Sequence, residues 1–152
     1  MRFNLSIFNW KDTFPLLKPL VPPISYSDYK GVMGRIGILG GSVDYTGAPY
    51  YAADAALKFG ADLSFVFCSQ EASAPIKSYS PELMVTPFYN DINMFSEDSS
   101  VVEQEILKSI AKVKDTLPRI HTLVVGPGLG RHPNVMKAVS QILEEARAAN
   151  TQ

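Results

Sequence analysis

The sequence predicts an α/β fold on a mostly parallel sheet, and three observations carry that prediction. Short apolar runs are closed by glycines, segments of helical period alternate with those runs, and the composition (46% hydrophobic, 11% aromatic, 19% charged) is that of a core-forming domain. The 152 residues suffice for one core and make two domains improbable on length alone.

Residues 1–30 read as a proline-punctuated arm in which Phe3, Leu5, Ile7, Phe8 and Trp10 form a short amphipathic element. Order begins at Gly34–Gly41, where the run Ile36-Gly37-Ile38-Leu39 between turn formers predicts a buried parallel strand. Tyr50–Phe59 follows as a helix, with Pro49 in its first turn, small Ala52, Ala53, Ala55 and Ala56 for close approach to a sheet, and Gly60 as its stop. Asp62–Cys68, rich in β-formers, is the next strand and completes a right-handed βαβ unit. Residues 69–90 read as looser, with Leu83–Thr86 as a short strand between Pro81 and Pro87. Val102, Ile106, Ile110, Val113 and Leu117 share one helical face, which Pro118 ends. His121–Gly126 is a further strand, and Val135, Val139, Ile142 and Ala146 define the face of a last helix.

Charge and cysteine usage remove several classes of function. With 14 basic and 15 acidic side chains the net charge is -1, so neither a nucleic-acid footprint nor a polybasic membrane anchor is expected. The lone Cys68 forms no internal disulfide, which fits a reducing, cytoplasmic compartment, and no Cys/His cluster has metal-ligand spacing. No apolar run approaches the ~20 residues of a membrane span. Arg2 and Lys11, with no acid between them, resemble a mitochondrial leader, but Pro15, Pro19, Pro22 and Pro23 interrupt it.

Ligands of open α/β sheets bind at the carboxyl ends of the strands, which directs attention to two glycine-rich loops. The first is Gly40-Gly41-Ser42-Val43-Asp44-Tyr45-Thr46-Gly47-Ala48-Pro49, the second Gly126-Pro127-Gly128-Leu129-Gly130-Arg131. Neither carries the Gly-Lys-Ser/Thr of a phosphate-binding Walker loop, and the second is one residue short of a G-x-G-x-x-G fingerprint. Asp44 and Tyr45 read as turn residues, Asp54 as solvated, Cys68 as buried filler, Lys77 as surface, and His121 and His132 as neither ligands nor bases. From these residues alone the function reaches a nucleotide-sized ligand and no identifiable catalytic group.

Together, Gly34–Ser42, Tyr45–Tyr50, Ala61–Leu63, Tyr79–Leu83 and Val124–Arg131 resemble the ATP-dependent NAD(P)H-hydrate dehydratase family, eukaryotic branch, from about Val21 onward. The resemblance implies a ribokinase-like three-layer sandwich over residues 31–152 and repair of the S epimers of hydrated NADH and NADPH, with ATP and Mg²⁺ as cofactors. In such a reaction the ring hydroxyl is phosphorylated and leaves as phosphate while the ring nitrogen supplies electrons, so the protein mostly positions and stabilises charge. It also implies homo-oligomers. Carried over by position, Gly130, Gly128 and Ala48 contact the hydrated dinucleotide, with Gly47, Tyr45 and Asp44 as further loop candidates. The family's later segments, with the Gly-x-Gly-Asp anion hole and its catalytic base, have no counterpart here. The expectation is therefore an N-terminal portion of the domain, inactive alone, with no catalytic or metal residue assigned. The alternatives are a ribokinase-type kinase of a small alcohol and a non-catalytic dinucleotide-binding or oligomerisation module.

Overall fold

The structure, a computed structural model, describes residues 10–18, 21 and 23–149. Its elements run α1 (Trp10–Leu17), β1 (Arg35–Leu39), α2 (Gly47–Phe59), β2 (Leu63–Ser69), α3 (Gln70–Tyr79), β3 (Met84–Tyr89), α4 (Asp91–Met94), α5 (Ser99–Lys114), a 3₁₀ turn (Leu117–Arg119), β4 (Thr122–Val125) and α6 (Pro133–Ala149). The four strands pair in parallel in the order β3-β2-β1-β4, with Ile36 opposite both Ser64 and Thr122.

Period-2 alternation divides the core between the two faces of this sheet. Ile38, Val66, Cys68 and Val85 pack with Ala53 of α2 and with Ala72 and Ile76 of α3. Leu39, Phe65, Phe67 and Phe88 point the other way, against Ile106 and Val113 of α5 and Val135, Val139 and Ile142 of α6. The result is three layers, helix on sheet on helix, as the α/β prediction requires. Gly37 leaves room for its neighbours on the second face, where a Cβ would lie 2.8 Å from Ile120 Cδ1 and 3.0 Å from Leu123 Cδ1.

Several boundaries differ from the sequence prediction, each for a physical reason. The expected loose stretch after the second strand is instead a helix, α3, started by Ser69, whose hydroxyl accepts the Ala72 N–H at 3.2 Å. Pro75 inside this polar ten-residue segment masks it from a periodicity test. The strand expected at Leu83–Thr86 runs as β3 through Pro87, which is tolerated because β3 pairs with β2 alone and the register shifts at Cys68/Ser69. Helix α2 begins at Gly47, earlier than the predicted Tyr50, and α5 ends at Lys114 with Leu117 in the 3₁₀ turn. Asp54 is not solvated: its side chain is 16% exposed and pairs with Lys58 at 2.7 Å, one helical turn on. In the predicted arm, Phe3, Leu5, Ile7 and Phe8 lie outside the described residues, and Trp10 opens α1. The turn that follows the arm is tied to the start of β2, because the Asp62 carboxylate accepts the N–H groups of Gly31 and Met33 at 2.8 and 3.1 Å.

Candidate functional site

The chain builds the sheet outward from β1 through β2 to β3, then returns across the opposite face to place β4 on the other side of β1. Loops leaving β1 and β4 therefore diverge to opposite faces, which opens a crevice at their carboxyl ends. The two glycine-rich loops occupy this position. They line a cleft of ≈ 820 Å³ together with Tyr89 at the end of β3, Phe95 just after α4 and His132 just before α6.

The loops interlock through their glycines. Gly41 N–H donates to Pro127 O at 2.9 Å, and a Cβ on Gly40 would stand 2.0 Å from that same oxygen. Gly128, at φ +65°, approaches so closely that a Cβ would lie 2.8 Å from Tyr45 O. A small antiparallel bridge between Ser42 and Tyr45 holds Val43 and Asp44 at the tip of the first loop. Both α2 and α6 begin beside the cleft, so their first-turn N–H groups place partial positive charge there.

Of the residues selected from the sequence, Asp44, Tyr45, Ala48, Gly128 and Gly130 all line this cleft. Gly47 does not: it is the first residue of α2, and a Cβ there would meet only the Tyr51 ring, at 3.8 Å. Seven further side chains in the wall were not selected from the sequence: Ser42, Val43, Leu129 and Arg131 of the two loops, and Tyr89, Phe95 and His132 outside them. Tyr89 ends β3, so the rule that drew attention to the loops after β1 and β4 applies to it equally. Phe95 and His132 come from different elements and meet as stacked rings, centroids 4.1 Å apart and 28° from parallel. His132 Nδ1 accepts the Asn134 N–H at 3.3 Å and thereby caps α6.

Beside Tyr89 stands an acidic pair, buried Asp91 and half-buried Glu71. The Asp91 carboxyl is pushed up to about 7, first by burial and then by the neighbouring Glu71 carboxyl, and its backbone N–H donates to Glu71 Oε2 at 3.4 Å. Burial, then the Asp91 charge, also raises the Tyr89 phenol well above the usual tyrosine range. The hydroxyls of Ser42 and Tyr89 are buried without a hydrogen-bond partner among the described residues. Cys68 is fully buried and its thiol is pushed up to about 12 by burial, which leaves it inert as a nucleophile. His121 lies at the far end of the sheet, where its Nε2 accepts from the Arg35 guanidinium at 2.6 Å. Lys77 is exposed.

Among the described residues no three His, Cys, Asp or Glu side chains converge as metal ligands. Among the described residues Asp44 is the single carboxylate in the cleft wall, and no lysine lines it. These residues do not by themselves fit a Mg²⁺–ATP site.

Three layers, a parallel sheet and a crevice at its switch point define a doubly wound α/β protein, and solved structures place it in the ribokinase-like fold. A ribokinase-like superfamily protein of Enterococcus faecalis superposes with a TM-score of 0.63 at 21% identity, over 81% of this chain and 37% of that one. A Streptococcus mutans protein gives the same score and identity over 86% and 41%. The family described as NAD(P)H-hydrate dehydratase matches residues 36–149, and the chain belongs to that family. Its curated relatives include ATP-dependent (S)-NAD(P)H-hydrate dehydratases of Homo sapiens (45% identical over 143 residues), Danio rerio (41% over 145) and Vitis vinifera (42% over 140). These alignments cover 91–95% of this chain but only 37–39% of those relatives, so the chain spans well under half their length. No described helix is long and apolar enough to cross a membrane.

Proposed function

We propose that this chain supplies the substrate-facing loops of an ATP-dependent (S)-NAD(P)H-hydrate dehydratase, which restores NADH and NADPH from their hydrated forms. The observation that carries this reading is the meeting of the two glycine loops at one crevice, in a chain 45% identical to the human enzyme of that name. Gly128 and Gly130, at φ +65° and +77°, present backbone where a side chain would keep a dinucleotide away. Ala48 stands at the start of α2 on the same wall, and Asp44 and Tyr45 are exposed at its rim. Hydrated dinucleotide is the small-molecule partner of this reading, with ATP the co-substrate named for the relatives and Mg²⁺ expected with it; assembly into homo-oligomers and a cytoplasmic location belong to it too.

No acid, base or metal cluster among the described residues faces the cleft in the arrangement phosphoryl transfer needs, so binding without turnover is the expected behaviour of the 152-residue chain. Calorimetric titration with NADPH tests this directly. Measurable heat of binding, together with no recovery of NADH absorbance from NADHX plus ATP, is the expected pair of results. Absence of binding sinks the reading of these loops, and turnover by the chain alone sinks its division of labour.

A further inference from the structure

We infer that the Phe95–His132 stack is a shelf that binds the heteroaromatic ring of a nucleotide at the mouth of the cleft. This rests on the dinucleotide reading above and adds to it the place where a ring is held. A singly exposed phenylalanine is ordinary, and Phe95 at 43% exposure would carry no argument by itself. The difference here is that two flat rings from separate elements lie nearly parallel at 4.1 Å, and both line the cleft that the glycine loops form.

The shelf is also braced. Asn134 Nδ2 donates to Met94 O at 2.9 Å while its N–H holds His132 Nδ1, which ties the start of α6 to the turn that carries Phe95. That turn is fixed from below by buried Glu105, which accepts the Asn90 N–H at 2.8 Å and Asn93 Nδ2 at 3.1 Å. Rings held in place before a ligand arrives lose little entropy on binding, and a third ring extends the stack through its π-face whichever base it is. A second, independent observation points to a polar ligand in the same place. Tyr89 and Ser42, 2% and 8% exposed, line the cleft and end in buried hydroxyls with no hydrogen-bond partner among the described residues. Such groups favour a ligand with hydrogen-bonding atoms, as the sugar or the base edge of a nucleotide provides. Exposed Arg131 adds a positive charge to the same wall.

The test is titration of the full 152-residue chain with NADPH, ADP-ribose and nicotinamide mononucleotide, in unaltered form and as Phe95→Ala and Phe95→Trp. Phe95→Ala is expected to weaken NADPH roughly tenfold or more, the scale of one base stacked on an aromatic side chain, and Phe95→Trp to restore it. A matching loss for ADP-ribose assigns the shelf to adenine; a matching loss for the mononucleotide assigns it to nicotinamide. The His132 ring-proton resonance is expected to move upfield on addition of NADPH to the unaltered chain, which a purely structural ring pair would not do. Equal NADPH affinity in the unaltered and Phe95→Ala chains overturns the shelf while leaving the dinucleotide reading intact. If the unaltered chain binds none of the three ligands, the dinucleotide reading falls and takes the shelf with it.

Discussion

At the scale of single residues, the cleft depends on contacts that tolerate no added atom. Gly40→Ala would drive a methyl group into Pro127 O and part the two loops, so a loss of roughly 1–3 kcal/mol in urea unfolding, with weakened NADPH binding, is expected. Asp91 gives a different kind of prediction. Its folded pKa, about 7, lies above the ordinary carboxylate value of 3.8, so the folded state holds its proton more tightly than the unfolded chain. That contribution is fully present below the unfolded pKa and is lost as pH rises through the folded one. Melting temperature is therefore expected to fall between about pH 4 and about pH 7, and Asp91→Asn to flatten that part of the profile. The glycine loops were legible because glycine at a strand end declares itself in one dimension. Tyr89 was missed because its strand was predicted to stop at Thr86, short of the end that faces the cleft, and Phe95 and His132 because nothing in their local sequence distinguishes a cleft wall from a core or a turn.

Among the elements, the least visible in sequence have the most specific polar supports. Helix α3 carries a proline and few apolar residues, and its start depends on the Ser69 hydroxyl that accepts Ala72 N–H. Ser69→Ala is expected to cost about 1 kcal/mol in denaturant unfolding, as loss of an N-cap does elsewhere. The short α4 has too few residues for any periodicity, and it is held by side chains: Asn90 accepts the Asn93 N–H at 3.2 Å, and Glu105 reaches across from α5. Glu105→Ala is expected to destabilise by roughly 1–3 kcal/mol, because two part-buried donors lose their buried acceptor, and to broaden the Phe95 resonances. By contrast β1, β2, α2 and α5 followed from their apolar patterns, which are the patterns that burial itself imposes. Their errors were confined to ends, where caps rather than packing decide.

For the whole molecule, the sheet is unevenly finished. β3 is covered on both faces, whereas β4 alternates exposed Thr122 and Val124 with half-buried Leu123 and Val125. Among the described residues its outer edge has no strand partner. An exposed parallel edge with an apolar residue facing out is a template for pairing with another chain. Concentration-dependent association of the 152-residue chain is therefore expected in light scattering, and Val124→Lys is expected to suppress it. The parallel topology was readable from the alternation of strand and helix patterns, but the position of β4 beside β1 was not, since strand order is set by crossovers that sequence periodicity does not encode.

The interlock between Gly41 and Pro127 also bears on how the chain acquires a site at all. Ile36 and Thr122 are neighbours in the sheet yet far apart along the chain, so their pairing closes a long loop and forms against a large entropic barrier. The strands from β1 to β3 assemble through nearer contacts, and none of that assembly creates a cleft. Only the docking of β4 does so, which ties the existence of the site to the pairing of β1 with the more distant in sequence of its two neighbours. Under the proposed function, a nucleotide that touches both loops would act as a reversible clasp between distant parts of the chain, stabilising the docked return strand by its binding energy.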